Sequence, residues 1–246
     1  MNGRKFVLIG AGSVSFTPAL LAGLGQSSVG RGATVALVDV DADRLSIVEK
    51  VARKIAAQSD EGFEVLASTD RRDVLEGADC VTTSISVGGD DAWEADLDIS
   101  AGRGAMQTVG DTVGVGGMSR GFRHAPVLVN VARDMEQLCP DATLYNYTNP
   151  MMVNCRAVTR ETPVRCVGLC IGVELLRADL CHIIGARPED TWIWAAGINH
   201  FVFAYRFLLN GRDAYPLVAA KLAQARGTEP DGLEQLVARY DGACAD

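Results

Sequence analysis

A run of four apolar residues, Phe6 to Ile9, ends in Gly10-Ala11-Gly12-Ser13-Val14-Ser15, and Thr17-Pro18-Ala19-Leu20-Leu21 then opens a helical pattern. Strand, glycine turn and helix in this order make an anion cradle. Gly10 permits the tight turn, Gly12 lets a pyrophosphate approach the backbone, and the helix amino terminus offers N–H groups and partial positive charge. Ser13 and Val14 complete the candidate cofactor-binding set, and Ser15 stands where the usual fingerprint has a third glycine. Asp39 lies 27 residues after Gly12, at the end of a second apolar run. A carboxylate there can accept hydrogen bonds from an adenosine ribose, and it favours NAD over the 2′-phosphorylated form, whose extra phosphate would face Asp39 and Asp41. The alternative is a glycine turn that merely packs helix on strand, with Asp39 a solvated strand end.

Three later segments also carry chemistry: Asn146-Tyr147-Thr148-Asn149-Pro150-Met151, Val167-Gly168-Leu169-Cys170-Ile171-Gly172 and Gly197-Ile198-Asn199-His200. In a parallel sheet the strand carboxyl ends share one rim, so Asn149 and Cys170 are expected to face the same crevice as the cofactor, with His200 able to join them. A thiolate and an imidazole make a partial metal site with positions open to substrate and water. Packing for the cysteine and a ring hydrogen bond for the histidine are the alternatives.

The elements that must position these residues follow from periodicity. Strands are expected at Lys5 to Ile9, Thr34 to Val38, Glu64 to Ser68, Cys80 to Ser84, Thr143 to Tyr147 and Arg165 to Leu169. Leu45, Val48, Val51, Ala52 and Ile55 recur at helical spacing between them, as do Val127, Val131, Met135 and Leu138. This βαβ rhythm predicts an α/β fold: a Rossmann-like doubly wound parallel sheet over residues 1–168, followed by the start of a second α+β domain over 169–246. The stretch from Gly88 to Gly121 is glycine-rich and breaks the rhythm, which makes it a candidate binding loop. After Gly197 a strand at Phe201 to Leu209 and helices at Tyr215 to Ala225 and Leu233 to Tyr240 are expected. The pattern stops without a closing element at Asp246, so a truncated polypeptide is expected.

Composition narrows the partners. With 246 residues, 48% of them hydrophobic, the chain can bury a core, and a net charge of −8 with no basic run argues against nucleic acid. No apolar run approaches the roughly 20 residues a membrane span needs. Seven scattered cysteines without a CxxC pair suit the reducing cytoplasm.

Taken together, Gly10-Ala11-Gly12-Ser13-Val14, the run Thr108-Val109-Gly110-Asp111-Thr112-Val113-Gly114-Val115-Gly116-Gly117, Arg133-Asp134-Met135-Glu136 and the three segments around Asn149, Cys170 and His200 resemble glycoside hydrolase family 4, in order from Phe6 to about Leu209. The resemblance implies a glycosidase that uses NAD and a divalent metal, usually Mn²⁺, and that is a homo-oligomer at full length. It makes Cys170 and His200 the metal ligands and Asn149 a substrate-binding residue, and it assigns Asp111 to the catalytic set, beside a tyrosine base whose basicity its charge would affect. It also implies hydrolysis by redox elimination rather than by two carboxylates: oxidation at the sugar C3, loss of the C2 proton, departure of the glycosidic oxygen, addition of water and reduction.

Three departures stand out. Ile171 occupies the position of the family's proton-transferring His or Asp, and isoleucine transfers no proton. Ala95 stands where many members carry a substrate arginine, which points away from a phosphorylated sugar and toward a galactoside or uronide, while Asp96 and Asp98 read as solvated loop charges. Tyr240 lies near the place of the tyrosine base. The competing readings are a catalytically impaired NAD-binding module and a 2-hydroxy-acid dehydrogenase. The second would need an arginine clamp and a His–Asp pair, neither of which is identifiable around His124 or His182.

Overall fold

Short β-branched runs, each stopped by a polar or glycine turn, form the strands, and the amphipathic stretches between them form crossover helices. The computed structural model describes residues 3–14, 16–59, 62–198 and 201–225. The chain divides into two compact units, Met1–Leu169 and Cys170–Asp246.

In the first unit the strands β1 (Lys5–Ile9), β2 (Thr34–Val38), β3 (Glu64–Ser68), β4 (Cys80–Thr83), β5 (Thr143–Asn146) and β6 (Arg165–Gly168) form one sheet in the order β3-β2-β1-β4-β5-β6. Every pairing is parallel. This is the doubly wound Rossmann order, and its direction reverses between β1 and β4, where such sheets bind ligands beyond the strand carboxyl ends. Alternating residues of one strand feed two cores. Val7 and Ile9 face Leu128, Val131, Met135 and Val158, whereas Leu8 faces Leu21, Leu45 and Val48. These partners lie on α1 (Phe16–Gln26) and α2 (Ala42–Gln58) on one side, and on α5 (Gly114–Leu138) and α6 (Met151–Glu161) on the other. A short helix, α3 (Arg72–Leu75), precedes β4, and α4 (Gly89–Ala101) follows it. Asp41 caps α2 by accepting the N–H groups of Asp43 and Arg44.

The glycine-rich stretch differs from its expectation as an irregular loop. Gly89–Ala101 and everything from Gly114 onward are helical, leaving a loop only over residues 102–113. Several of these glycines are held in close internal packing. A Cβ on Gly117 would lie 2.4 Å from the Thr112 carbonyl carbon, and one on Gly116 would lie 2.5 Å from the Gly110 carbonyl oxygen. Gln107 holds the turn: its Oε1 accepts from Ser100 Oγ and the Gly116 N–H, and its Nε2 donates to the Val113 carbonyl.

The second unit contains α7 (Gly172–Ile184), the antiparallel strands β7 (Thr191–Ile198), β8 (Phe201–Leu209) and β9 (Arg212–Asp213), and α8 (Tyr215–Ala225). Phe207 on β8 is fully buried among Leu180, Ile183 and Val218 of the helices. The mixed helix and antiparallel content matches the expected α+β character. Strand β7 has no counterpart in the sequence reading, and the helix expected at Leu233 to Tyr240 lies outside the described residues.

Candidate functional site

The glycine turn after β1 is anchored by N–H groups of Gly10 and Ala11 that both donate to the Val38 carbonyl, at 2.8 and 2.9 Å. Gly10 has φ +89°, and a Cβ there would lie 2.5 Å from the Ser84 carbonyl oxygen, so the position admits little but glycine. At Gly12 the crowding comes from Asp39. The Gly12 N–H donates to Asp39 Oδ2 at 2.7 Å, and a Cβ would sit 2.7 Å from that same oxygen. The carboxylate at the end of β2 and the glycine turn at the end of β1 are thus brought together, as a ribose-and-pyrophosphate cradle requires. The other Asp39 oxygen accepts the Asp41 N–H at 3.0 Å. Ser13 Oγ accepts the Phe16 N–H at 3.2 Å and so caps α1, while the Val14 side chain is exposed. Ser15 lies outside the described residues. A glycine cradle with an acidic residue beside it, at the reversal of strand order, fits a dinucleotide.

Next along the rim, Asn146 at the end of β5 is buried and spans its surroundings: Oδ1 accepts from Thr83 Oγ1 and the Thr148 N–H, and Nδ2 donates to the Thr148 carbonyl. Thr148 Oγ1 accepts the Ile85 N–H, which ties the ends of β4 and β5. This scaffold presents Asn149, whose bond to Pro150 is cis. Asn149 Nδ2 donates to Asp111 Oδ2 at 2.7 Å, and Asp111 Oδ1 accepts from Thr112 Oγ1 at 2.7 Å. Two candidate residues 38 positions apart in sequence are therefore in direct contact.

Behind them lies a charged cluster that sequence reasoning missed. Asp96 is a buried residue of α4, 1% exposed, rather than a solvated loop charge. Both of its oxygens are held by Arg123, at 2.8 Å from Nη1 and 2.7 Å from Nη2. The Arg123 hydrogen bonds keep its carboxyl below the usual carboxylate range. His124 is fully buried, donating from Nδ1 to the Arg120 carbonyl and accepting the Val87 N–H at Nε2. Burial pushes its pKa down, so the ring stays neutral. The signal in the sequence was the spacing of Arg120, Arg123 and His124 at i, i+3 and i+4 on a helix otherwise read as core. Their partners on α4 come from tertiary structure.

In the second unit Cys170 is exposed, and its Sγ accepts the Gly172 N–H at 3.5 Å at the start of α7. The thiol is sterically open to a metal. His200, its expected co-ligand, and Tyr240 lie outside the described residues, and among the described residues no group of three or more His, Cys, Asp or Glu side chains is arranged to hold a metal ion. Ile171 is 63% exposed and Ala95 sits on the exposed side of α4.

The sequence pattern of the family described as Family 4 glycosyl hydrolase matches residues 5–185. The chain belongs to this family. Among family 4 relatives, an alpha-glucosidase of Erwinia rhapontici is 36% identical over 221 residues, covering 88% of this chain and 49% of the relative. An alpha-galactosidase of Bacillus subtilis is 33% identical over 227 residues, covering 92% of this chain and 52% of the relative. The chain thus spans about half the length of the curated relatives it matches. A crystal structure of the 6-phospho-beta glucosidase from Thermotoga maritima, which contains manganese, NAD+ and glucose-6-phosphate, superposes with a TM-score of 0.78 at 25% identity, covering 92% of this chain and 53% of that one.

Proposed function

We propose that this chain is the dinucleotide-binding portion of a family 4 glycosidase that hydrolyses O-glycosidic bonds by redox elimination. The observation that carries the reading is the Gly10–Gly12 turn closed by Asp39 at the switch point of a Rossmann sheet, in a chain whose family relatives are glycosidases. In this reading residues 1–168 bind NAD through Gly10, Gly12, Ser13, Val14 and Asp39. Residues 169–246 begin the part that binds metal and substrate, with Cys170 and His200 holding a divalent ion such as Mn²⁺. The NAD and manganese of the Thermotoga maritima structure support this assignment. When bound, the nicotinamide would supply a reversible hydride acceptor and the metal a Lewis acid, which is the chemistry that lets a sugar C3 be oxidised and its C2 proton removed.

This chain's own residues have narrower tasks. Asp39 orients the adenosine ribose and disfavours a 2′-phosphate. Asn149, braced by Asp111, hydrogen-bonds a sugar hydroxyl. Asp111 places negative charge near the family's tyrosine base. Ile171 moves no proton, so the leaving group is protonated by a group other than the residue after Cys170. The absence of an arginine at Ala95 favours a galactoside or uronide over a phosphorylated sugar. No described helix is long and apolar enough to cross a membrane. The six described cysteines are all free thiols, which supports a reducing, cytoplasmic site of action. Oligomerisation at full length is part of the same reading.

The exposed Ile171 favours a second reading, a module that binds NAD without turnover. The test is release of nitrophenol from a panel of α- and β-nitrophenyl glycosides under reducing conditions, with NAD and Mn²⁺ each omitted in turn and Cys170→Ser as the control. Activity that needs both additions and vanishes in the variant is expected. Silence across the panel with NAD still bound would favour the second reading.

A further inference from the structure

Helix α6 packs closely on strand β6, and one missing side chain makes the room. A Cβ on Gly168 would lie 2.8 Å from Met151 Cγ and 2.9 Å from Cys155 Sγ, so these two α6 side chains fill the space that the glycine leaves. Met151 and Cys155 are four residues apart and share a face of the helix, while Cys166 and Gly168 are two apart and share a face of the strand. Cys155 and Cys166 are thereby brought together across the helix–strand contact. Their side chains share a hydrogen bond in which the Cys166 thiol donates to Cys155 Sγ. Asn146 Nδ2 donates to the same sulfur at 3.6 Å.

Two donors on one sulfur favour its thiolate. The hydrogen bond from Cys166 holds the Cys155 thiol below the usual cysteine range and pushes that of Cys166 up. Burial acts the other way at Cys80, which is pushed up to about 11, and at Cys139, which is also raised. Cys155 and Cys166 are half-buried, so neither is sealed in the core. We propose that Cys155 and Cys166 are a reversible oxidation site at which hydrogen peroxide closes a disulfide. The Cys155 thiolate attacks the peroxide: an S–O bond forms, the O–O bond breaks, and hydroxide leaves to be protonated to water. The Cys166 sulfur then attacks the Cys155 sulfur: the S–S bond forms, the S–O bond breaks, and a second water departs with the Cys166 proton. Two thiols are oxidised and one peroxide is reduced to two waters. The sulfurs are already in hydrogen-bonding contact, so closure asks for a side-chain adjustment rather than a rearrangement of the fold. Cys155 follows Asn149 by six residues and Cys166 precedes Cys170 by four, so the bond ties together the segments that carry two candidate site residues. In a reducing compartment such a bond is transient and reports oxidant rather than serving as a permanent staple.

The experiment takes the reduced full chain at neutral pH, adds hydrogen peroxide in small excess, blocks the remaining thiols with iodoacetamide and reads the tryptic peptides by mass spectrometry. Cys155 shares its peptide with Cys139, and Cys166 shares its peptide with Cys170, so fragment spectra assign the linked sulfurs. Loss of two of the seven thiols, a Cys155–Cys166 link within a monomeric chain, and full recovery with dithiothreitol are expected. In Cys166→Ser, Cys155 should stop at the sulfenic acid, captured by dimedone; in Cys155→Ser, Cys166 should stay reduced. In urea the preference for this pair should be lost. Oxidation confined to the exposed Cys170, a link between other cysteines or between chains, or a link formed as readily in urea would overturn the proposal. So would a wild-type Cys155 sulfenic acid that never closes onto Cys166. The wild-type peptide map decides the matter even where a serine variant does not fold.

Discussion

Replacing Asp96 by alanine removes the inner partner of a buried ion pair and tests whether the α4–α5 corner is held as described. The carboxylate is 1% exposed and makes two charge-assisted hydrogen bonds to Arg123, at 2.7 and 2.8 Å. Breaking a buried pair from one side typically costs about 3–5 kcal/mol. The lower end applies here. The Arg123 side chain keeps 28% exposure, and its guanidinium also reaches the Val87 and Ala92 carbonyls at 3.3 and 3.4 Å, so water and backbone recover part of the loss. We expect about 3 kcal/mol for Asp96→Ala and about half that for Asp96→Asn, which keeps one acceptor. For a domain of this size, about 3 kcal/mol lowers Tm by roughly 6–12 °C. Urea melts followed by far-UV circular dichroism at pH 7 measure the change. Because the pair is buried, the difference should persist at high salt. A loss under about 1 kcal/mol, or one that disappears at high salt, would refute the reasoning by showing the pair to be effectively solvated.

Two further outcomes concern the glycine turn after β1 and the buried His124. Gly10→Ala should cost about 1–2 kcal/mol from the left-handed backbone alone. It should cost more in total because a Cβ would press within 2.5 Å of the Ser84 carbonyl oxygen; urea melts should show the loss of stability, and calorimetric titration with NAD a loss of affinity beside it. His124 is held neutral, chiefly by burial and further by the nearby Arg120 and Arg123 charges, so its folded pKa lies below the unfolded value of about 6.5. Across that interval the unfolded chain binds more protons. The His124 contribution is therefore complete above about pH 6.5 and is lost as pH falls below it, by at most about 1.4 kcal/mol per pH unit. Melts at pH 7.5 and 5.5, with His124→Gln showing a smaller difference, check the sign.

The parallel sheet was legible because each of its strands is a short apolar run ending at a turn residue, and because Leu45, Val48 and Ala52 or Val131 and Met135 keep helical period over several turns. Strand β7 was not legible. Its run Trp194-Ala195-Ala196-Gly197 has little β-branched character, and its pairing with β8 is a tertiary fact that includes an irregular register at Trp194 and Ala195. Helix α4 and the first turns of α5 were obscured by glycines that look like loop formers until the close approaches of Gly116 and Gly117 to their own turn are seen. In the candidate site, the glycine turn and Asp39 follow from local sequence and strand order. The Asp111–Asn149 contact and the Arg123–Asp96 pair join residues 38 and 27 positions apart, and no local pattern encodes them.

The most direct test of the dinucleotide site is a calorimetric titration of the purified chain with NAD and, separately, with its 2′-phosphorylated form. Asp39→Asn is the companion variant, since it can still accept the Gly12 N–H but carries no charge. Binding of NAD is expected, with at least about tenfold weaker binding of the phosphorylated form to the wild type and a clear narrowing of that gap in the variant. Equal affinity for the two forms in the wild type, or no binding of either, would contradict that expectation.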